Sequence, residues 1–171
     1  MILDEPSGFT RTFSYERSNS PCSSDLTTMS DSAILYSPDG KYSIEPHDDF
    51  GEIAMGSPSF GHITIRGTDG PLPDNLYGRT FLFSPDSRFV ALEELVGTRQ
   101  FSTKLIVVEL PHCKIFVVRV QEQGTATPLR WDSPHRLLFT NWSVGLPRET
   151  EQWDAPPPLP APKRSWFSLW K

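Results

Sequence analysis

Cysteine is scarce in this chain, and so are long apolar runs and excess positive charge. Two cysteines in 171 residues cannot staple a disulfide-rich scaffold. The longest apolar run lies near residues 105–108, far short of the roughly 20 residues that a membrane-spanning helix needs. The 16 Lys and Arg are outnumbered by 21 Asp and Glu, which gives a net charge of −5. Because nucleic-acid binders usually present a basic patch, we expect neither a nucleic-acid nor a membrane partner.

The common catalytic motifs are also missing. The sequence has no G-x-x-x-x-G-K-[ST] loop, no G-x-S-x-G elbow, no H-E-x-x-H and no C-x-x-C. Its histidines are dispersed, and the only tight group that could hold a metal or a catalytic base is His47, Asp48 and Asp49. We therefore predict a non-enzymatic protein without cofactor or metal. A small metal-dependent enzyme built around those three residues is the alternative.

The first residues do not have the pattern of an export signal. Residues 1–6 contain two acids and a proline, whereas a secretory signal has a basic segment and then 7–15 apolar residues. We therefore expect a cytoplasmic protein. Cys22 lies in a polar stretch and Cys113 between two apolar runs, so both are expected to be free thiols.

Proline, by contrast, is abundant, with 17 in 171 residues, about twice the average usage. From residue 33 to about 142, short β-branched and aromatic runs alternate with turn clusters. This pattern predicts an antiparallel all-β domain. Arg88–Leu95 contains helix-favouring residues, but it follows a Ser-Pro-Asp turn, which favours a strand. The predicted strands are Ala33–Tyr36, Lys41–Glu45, Glu52–Met55, His62–Arg66, Thr80–Phe83, Arg88–Leu95, Lys104–Leu110, Cys113–Val120, Leu129–Trp131 and Arg136–Trp142.

One short pattern occurs three times. Tyr36–Tyr42, Phe83–Phe89 and Trp131–Leu137 each open with an aromatic residue, continue through a polar Ser/Pro turn, and end with a cation and an apolar residue. The first two copies start 47 residues apart (83 − 36), and the second and third 48 apart (131 − 83). Blades of β-propellers repeat at roughly this period. We expect each aromatic residue to end a strand and to pack into a core, with the Ser-Pro pair opening a type I turn.

The copies at 36–45 and 83–92 resemble the repeat of TolB-type β-propellers, and the copy at 131–139 resembles it poorly. The resemblance implies propeller-blade-like antiparallel sheets, a scaffold role and a tendency to bind proteins, with no catalytic residue. In the second repeat, Lys104–Leu110 and Cys113–Val120 would complete a four-stranded blade. The chain holds only two blades and part of a third, fewer than the four to eight of a propeller. Three arrangements follow from this shortfall: the sheets pack as a compact sandwich-like structure, two chains close a six-bladed ring, or a partner covers the open edge. We favour a compact monomer with a partner-binding surface.

Composition divides the chain into three parts. Residues 1–30 are predicted to be a partly ordered N-terminal segment with one strand, because Phe9–Tyr15 alternates apolar and polar side chains. Residues 31–144 form the β-repeat domain. Residues 145–171 are predicted to be an irregular, proline-rich tail that ends in the aromatic and basic segment Lys163–Lys171. Proline has no N–H for a β-ladder, so this tail should contain no central strand.

Acidic side chains are the remaining candidates for a function. Asp48, Asp49 and Glu52 lie in one short segment, and Glu93 and Glu94 follow the second repeat hairpin. On exposed loops, such groups would attract a basic partner and guide its approach. A small acidic protein without catalytic motifs is of the type of toxin-neutralising (immunity) proteins. We therefore predict a protein that masks a basic protein partner through these five residues. The alternative is a propeller-like scaffold subunit that oligomerises into a closed ring.

Overall fold

Twelve β-strands make up the regular structure of the chain in a computed structural model that describes residues 33–53, 57–97 and 101–157. The predicted all-β fold is therefore confirmed. Over these residues, no helix is long and apolar enough to cross a membrane. The strands are β1 (Leu35–Tyr36), β2 (Ser43–Pro46), β3 (Gly51–Glu52), β4 (Ser59–Gly61), β5 (Ile63–Arg66), β6 (Tyr77–Phe83), β7 (Phe89–Gly97), β8 (Ser102–Glu109), β9 (Lys114–Gln121), β10 (Gly124–Ser133), β11 (Arg136–Ser143) and β12 (Glu149–Asp154).

The strands form two sheets that pack as three layers. A small antiparallel sheet has the order β1-β2-β5. The large sheet contains the antiparallel meander β6-β7-β8-β9, with β4 and β3 added beyond β6. It also contains the meander β10-β11-β12, joined to β8 by a short parallel contact between Gly124 and Ser102. The large sheet is therefore mixed, and the described strands do not close into a propeller.

The central pair β7 and β8 separates two hydrophobic cores. Phe89–Leu92 and Leu105–Val108 are fully buried, because these strands are covered on both faces. Side chains of even number, such as Val90 and Leu92, pack toward the β1-β2-β5 sheet. Those of odd number, such as Phe89 and Ala91, pack toward the β10-β11-β12 meander. Alternation along a strand thus explains how one apolar run serves both cores.

The first two repeat turns have the same hydrogen bonds. In each, the serine Oγ donates to the aspartate Oδ1, from Ser37 to Asp39 at 2.8 Å and from Ser84 to Asp86 at 2.6 Å. The same Oγ accepts from the N–H five residues later, at 3.0 and 2.9 Å. The fourth turn position has a positive φ in both copies, 71° at Gly40 and 58° at Ser87. The 47-residue period is therefore a repeat of structure as well as of sequence.

The aromatic residues that open the repeats differ in their surroundings. Trp131 is buried in the second core, and its indole N–H donates to the Leu82 carbonyl at 3.0 Å. Phe83 is partly buried against the first core. Tyr36 is 61% exposed, so the expectation that it packs into a core is wrong. It lies on the two-residue strand β1, which is paired on one side only and covers too little of the sheet to bury a ring.

Ten predicted strands overlap observed ones, and two observed strands are additional. The missed strands are β4 and β12, and β12 pairs along β11 from Glu149 to Asp154. The expectation of irregular chain after residue 144 is therefore wrong for this segment. Its Trp153 packs into the second core, whereas Trp142 on β11 is 37% exposed. The predicted strand at residues 9–15, the thiol at residue 22 and the segment 163–171 lie outside the described residues.

Candidate functional site

The predicted acidic segment spans the connection between β2 and β3 together with β3 itself, and it is exposed. Asp48, Asp49 and Glu52 are all at the surface. The pairing of β2 with β5 continues one residue beyond β2, where the His47 N–H donates to the His62 carbonyl at 2.9 Å. This pairing places Asp49 beside His62. The Asp49 carboxylate accepts the backbone N–H of His62 at 3.0 Å and also bonds its ring Nδ1.

His62 lies between two carboxylates. Its Nδ1 contacts Asp49, and its Nε2 lies 3.5 Å from Oδ1 of Asp74, a side chain that is 98% exposed. The hydrogen bond with Asp49 raises the pKa of His62 above its ordinary value, and the same bond lowers the pKa of Asp49. Both shifts have one cause, the attraction between imidazolium and carboxylate. We call Asp48, Asp49, Glu52 and Asp74 the acidic rim.

His47, Asp48 and Asp49 do not form the cluster that the enzyme alternative requires. The His47 ring bonds Thr64 Oγ1 at 2.9 Å, and Asp49 bonds His62 instead. Among the residues described, no three His, Cys, Asp or Glu side chains are placed to hold one metal ion. The chain turns at Asp48 and Asp49 after β2 ends, so Asp49 contacts His62 while the His47 ring lies against Thr64.

A groove of about 700 Å³ runs along β5 beside the acidic rim. Its first wall is the continuous stretch from His62 to Thr68, and its second wall is the loop from Gly70 to Asn75. A groove above one face of a strand would contact every second residue. This groove contacts each successive residue of β5, so it follows the edge of the strand. We call it the edge groove.

The second wall of the edge groove is held from behind. The Asp69 N–H donates to the Pro111 carbonyl at 2.9 Å, and the Cys113 thiol, which is free, donates to the Gly70 carbonyl at 2.9 Å. The Tyr77 hydroxyl donates to the Pro73 carbonyl at 3.1 Å. These bonds attach the loop to the large sheet. The groove therefore has two supported walls. Its lining includes one acid of the rim, Asp74, and one arginine, Arg66, which is paired with Glu45 at 2.9 Å.

Glu93 and Glu94, the other predicted contact residues, are not on a loop. Both lie in β7 and are buried, with 3% and 4% exposure, so the expectation that they face a partner is wrong. Glu94 forms an ion pair with Lys104 at 2.6 Å and accepts a bond from Asn75 at 3.0 Å. The physical reason is that β7 has a neighbouring strand on each side and a core against each face.

Burial gives Glu93 an unusual carboxyl group. Its Oε2 accepts a bond from Thr127 at 3.2 Å, and its Oε1 is buried without a hydrogen-bond partner. Loss of hydration raises the pKa of Glu93 to about 7, because burial penalises the charged form. This carboxyl group is inaccessible to a partner.

Sequence reasoning did not identify His62, Asp74 or the edge groove. His62 stood at the start of a predicted strand, and Asp74 in the connection after it. The segment Gly70-Pro71-Leu72-Pro73 was the available signal for the edge groove. Its two prolines have no N–H to donate to the edge of a neighbouring strand. That signal becomes informative only when the loop is known to lie beside β5.

Comparison of the chain with protein-family models, curated proteins and solved structures finds no match in any of the three.

Proposed function

We propose that this chain is a non-enzymatic protein-binding protein of the toxin-neutralising (immunity) type, which masks a basic protein partner in the cytoplasm. The observation that carries the proposal is the acidic rim. Three of its carboxylates are exposed within five residues of chain, and the fourth lies across His62 from Asp49. No Lys or Arg among the described residues forms an ion pair with any of the four.

Two other exposed acids of the described surface are paired with cations. Asp39 pairs with Lys41 at 3.0 Å, and Asp154 pairs with Arg136 at 3.0 Å. The acidic rim, in contrast, has only the His62 ring as an ionic partner among the described residues. Its negative potential is therefore less compensated and extends into solvent. Such a potential accelerates encounter with a basic surface and disfavours acidic ones.

Charge reversal of the rim should weaken capture of the partner. We expect the triple variant Asp48→Lys, Glu52→Lys and Asp74→Lys to reduce capture of basic proteins from native-host lysate by about tenfold or more at low salt. Asp49 is retained so that its bonds with His62 remain. Quantitative mass spectrometry of the captured proteins measures the effect. The difference from the wild type should shrink as salt is raised, since exposed charges are screened.

A matched control distinguishes an effect of reversing charge in the acidic rim from an effect of the changed net charge. The variant Glu122→Lys, Asp132→Lys and Glu149→Lys reverses three exposed acids outside the rim and changes the net charge equally. This control should capture the same proteins as the wild type. Circular dichroism shows whether each variant remains folded. Equal capture by a folded rim variant and the wild type would overturn the proposal.

A ring-forming scaffold subunit is the second candidate. It is supported by the two identical repeat turns and by the four-stranded meander β6-β7-β8-β9, which has the strand order of a propeller blade. On this hypothesis, two copies with blade-like sheets complete one ring. Light scattering at high concentration should then give twice the monomer mass of 19.3 kDa. A strict monomer excludes the ring.

A further inference from the structure

Strand β5 has a neighbour on one side only. It pairs with β2, and no other described strand lies along it. In an antiparallel pair of strands, hydrogen-bonded residue pairs alternate with pairs that are not hydrogen-bonded. His47 and His62 form a hydrogen-bonded pair, so the next residue of β5, Ile63, and then Ile65 belong to pairs without such bonds. The N–H and C=O groups of Ile63 and Ile65 therefore point away from β2. These groups line the edge groove. The Ile65 carbonyl has a long contact of 3.4 Å with Thr68 Oγ1, which leaves its second lone pair available.

Among the described residues, the opposite wall of the groove makes no backbone hydrogen bond with this edge. Pro71 and Pro73 have no N–H to donate, and the Asn75 N–H is used within its own loop by the Pro73 carbonyl at 2.9 Å. The loop is also attached to the large sheet at Asp69 and Gly70. The wall therefore stays beside β5 without pairing with it. The space between them holds about 700 Å³, which is in the range of ligand pockets.

We propose that the edge groove receives an extended, cationic segment of the partner protein, which adds to β5 as a further strand. The inference rests on the proposed function, and it names how the partner is held. Backbone bonds to Ile63 and Ile65 would supply affinity, as in other cases of strand addition to a sheet edge. The acidic rim would select Lys and Arg side chains at one end of the groove.

Charge favours this occupant over two others. A second copy of the chain carries the same net charge of −5, so the two copies repel each other. The N-terminal segment 1–32 carries five acids and two arginines, a net charge of 2 − 5 = −3, and meets the same repulsion. The C-terminal segment 158–171 carries three cations and no acid, so charge does not exclude it. The cross-link described below distinguishes this segment from a separate partner.

The test uses a defined peptide probe and the full chain. The probe is a nine-residue peptide that alternates lysine with valine, compared with its glutamate-for-lysine counterpart by fluorescence anisotropy. We expect the lysine peptide to bind at least about tenfold more tightly. Two further forms are N-methylated at odd or at even positions. Only one register faces β5, so one form should lose about tenfold or more in affinity and the other should lose little.

A matched pair of variants locates the binding. Gly70 lines the groove, and a Cβ placed there meets no atom within 4 Å, so Gly70→Tyr should fill the groove without disturbing the fold. Gly97 is equally open but lies at the end of β7, outside the groove. We expect Gly70→Tyr to lower the affinity of the lysine peptide about tenfold and Gly97→Tyr to leave it unchanged. Absence of lysine-peptide binding, equal effects of the two methylated forms, or equal effects of the two tyrosines would overturn the proposal.

Cross-linking tests the other occupants. A photo-reactive benzophenone side chain at position 71 of the full chain should attach to the added lysine peptide. Attachment instead to residues 1–32 or 158–171 of the same chain, or to a second copy, overturns the proposal. A different result would overturn the proposed function: unchanged capture of the partner by the variant with reversed charges in the acidic rim. If rim reversal abolishes capture while Gly70→Tyr binds both partner and peptide normally, the acidic rim is the binding site and the groove is not.

Discussion

Replacing Glu93 by glutamine should remove about 3 kcal/mol of pH dependence from the stability of the fold. In the unfolded chain this carboxyl releases its proton near the ordinary value of 4.5, whereas in the folded chain burial raises its pKa to about 7. Between these two values the folded state binds more protons than the unfolded state. Stability from this group is therefore full below pH 4.5 and falls as the pH rises to about 7. The difference of about 2.5 pKa values corresponds to roughly 3 kcal/mol.

The measurement is urea unfolding of the wild type and Glu93→Gln from pH 4.5 to 8. The free energy of unfolding of the variant should rise relative to the wild type by about 3 kcal/mol over this range and then level off. A constant offset is also expected, because a buried amide needs acceptors that the site does not offer. Glu122→Gln, at an exposed position, is the control and should follow the wild type. A pH-independent difference for Glu93→Gln would contradict the assignment of a neutral, buried carboxyl group.

Glu93 also shows where sequence reasoning failed. The acid pair Glu93-Glu94 follows a buried apolar run, and acidic residues are usually exposed. The pair was therefore expected to be exposed to a partner, although the predicted strand Arg88–Leu95 already contained both residues. In the structure, β7 continues through both residues to Gly97 with strands on either side. Whether an acid is buried depends here on the neighbouring strands β6 and β8, and no local pattern encodes that packing.

Features that depend on neighbouring residues were predictable. The Ser-Pro-Asp turns use hydrogen bonds within six residues, and both copies form the same structure. The apolar runs of β7 and β8 and the hairpin after Glu109 are equally local. The contact between Asp49 and His62 is not local, because it depends on the pairing of β2 with β5 and crosses 13 residues. For the same reason the edge groove, which lies between β5 and a later loop, could not be derived from the sequence.

Strand β12 was missed because its pattern is weak. Only Glu151 and Trp153 are partly buried among its six residues, and a proline-rich segment follows directly. Its place in the fold is set by Trp153. This ring lies at 6.2 Å from Phe89, 6.4 Å from Trp131 and 6.0 Å from Phe116, measured between centroids. Two of these contacts are edge-on, a favoured geometry for aromatic pairs.

We therefore expect Trp153→Ala to destabilise the protein by about 3 kcal/mol, at the lower end for a tryptophan because the side chain is only partly buried. Three aromatic neighbours would lose their contacts, and β12 would be left with pairing to β11 alone. Urea unfolding followed by circular dichroism measures the change. Trp142→Ala provides the matched control, since this side chain is 37% exposed and belongs to neither core.

The control should change the free energy of unfolding by no more than about 1 kcal/mol. Equal effects of the two substitutions would show that β12 contributes no more to stability than an exposed strand residue. A large effect of Trp153→Ala alone would place the boundary of the folded domain after β12 rather than near residue 144. It would also mean that the second core depends on Trp153, a residue of the segment that composition assigned to the tail. Strand β10 of this core supplies Thr127, which bonds the buried Glu93 carboxyl group.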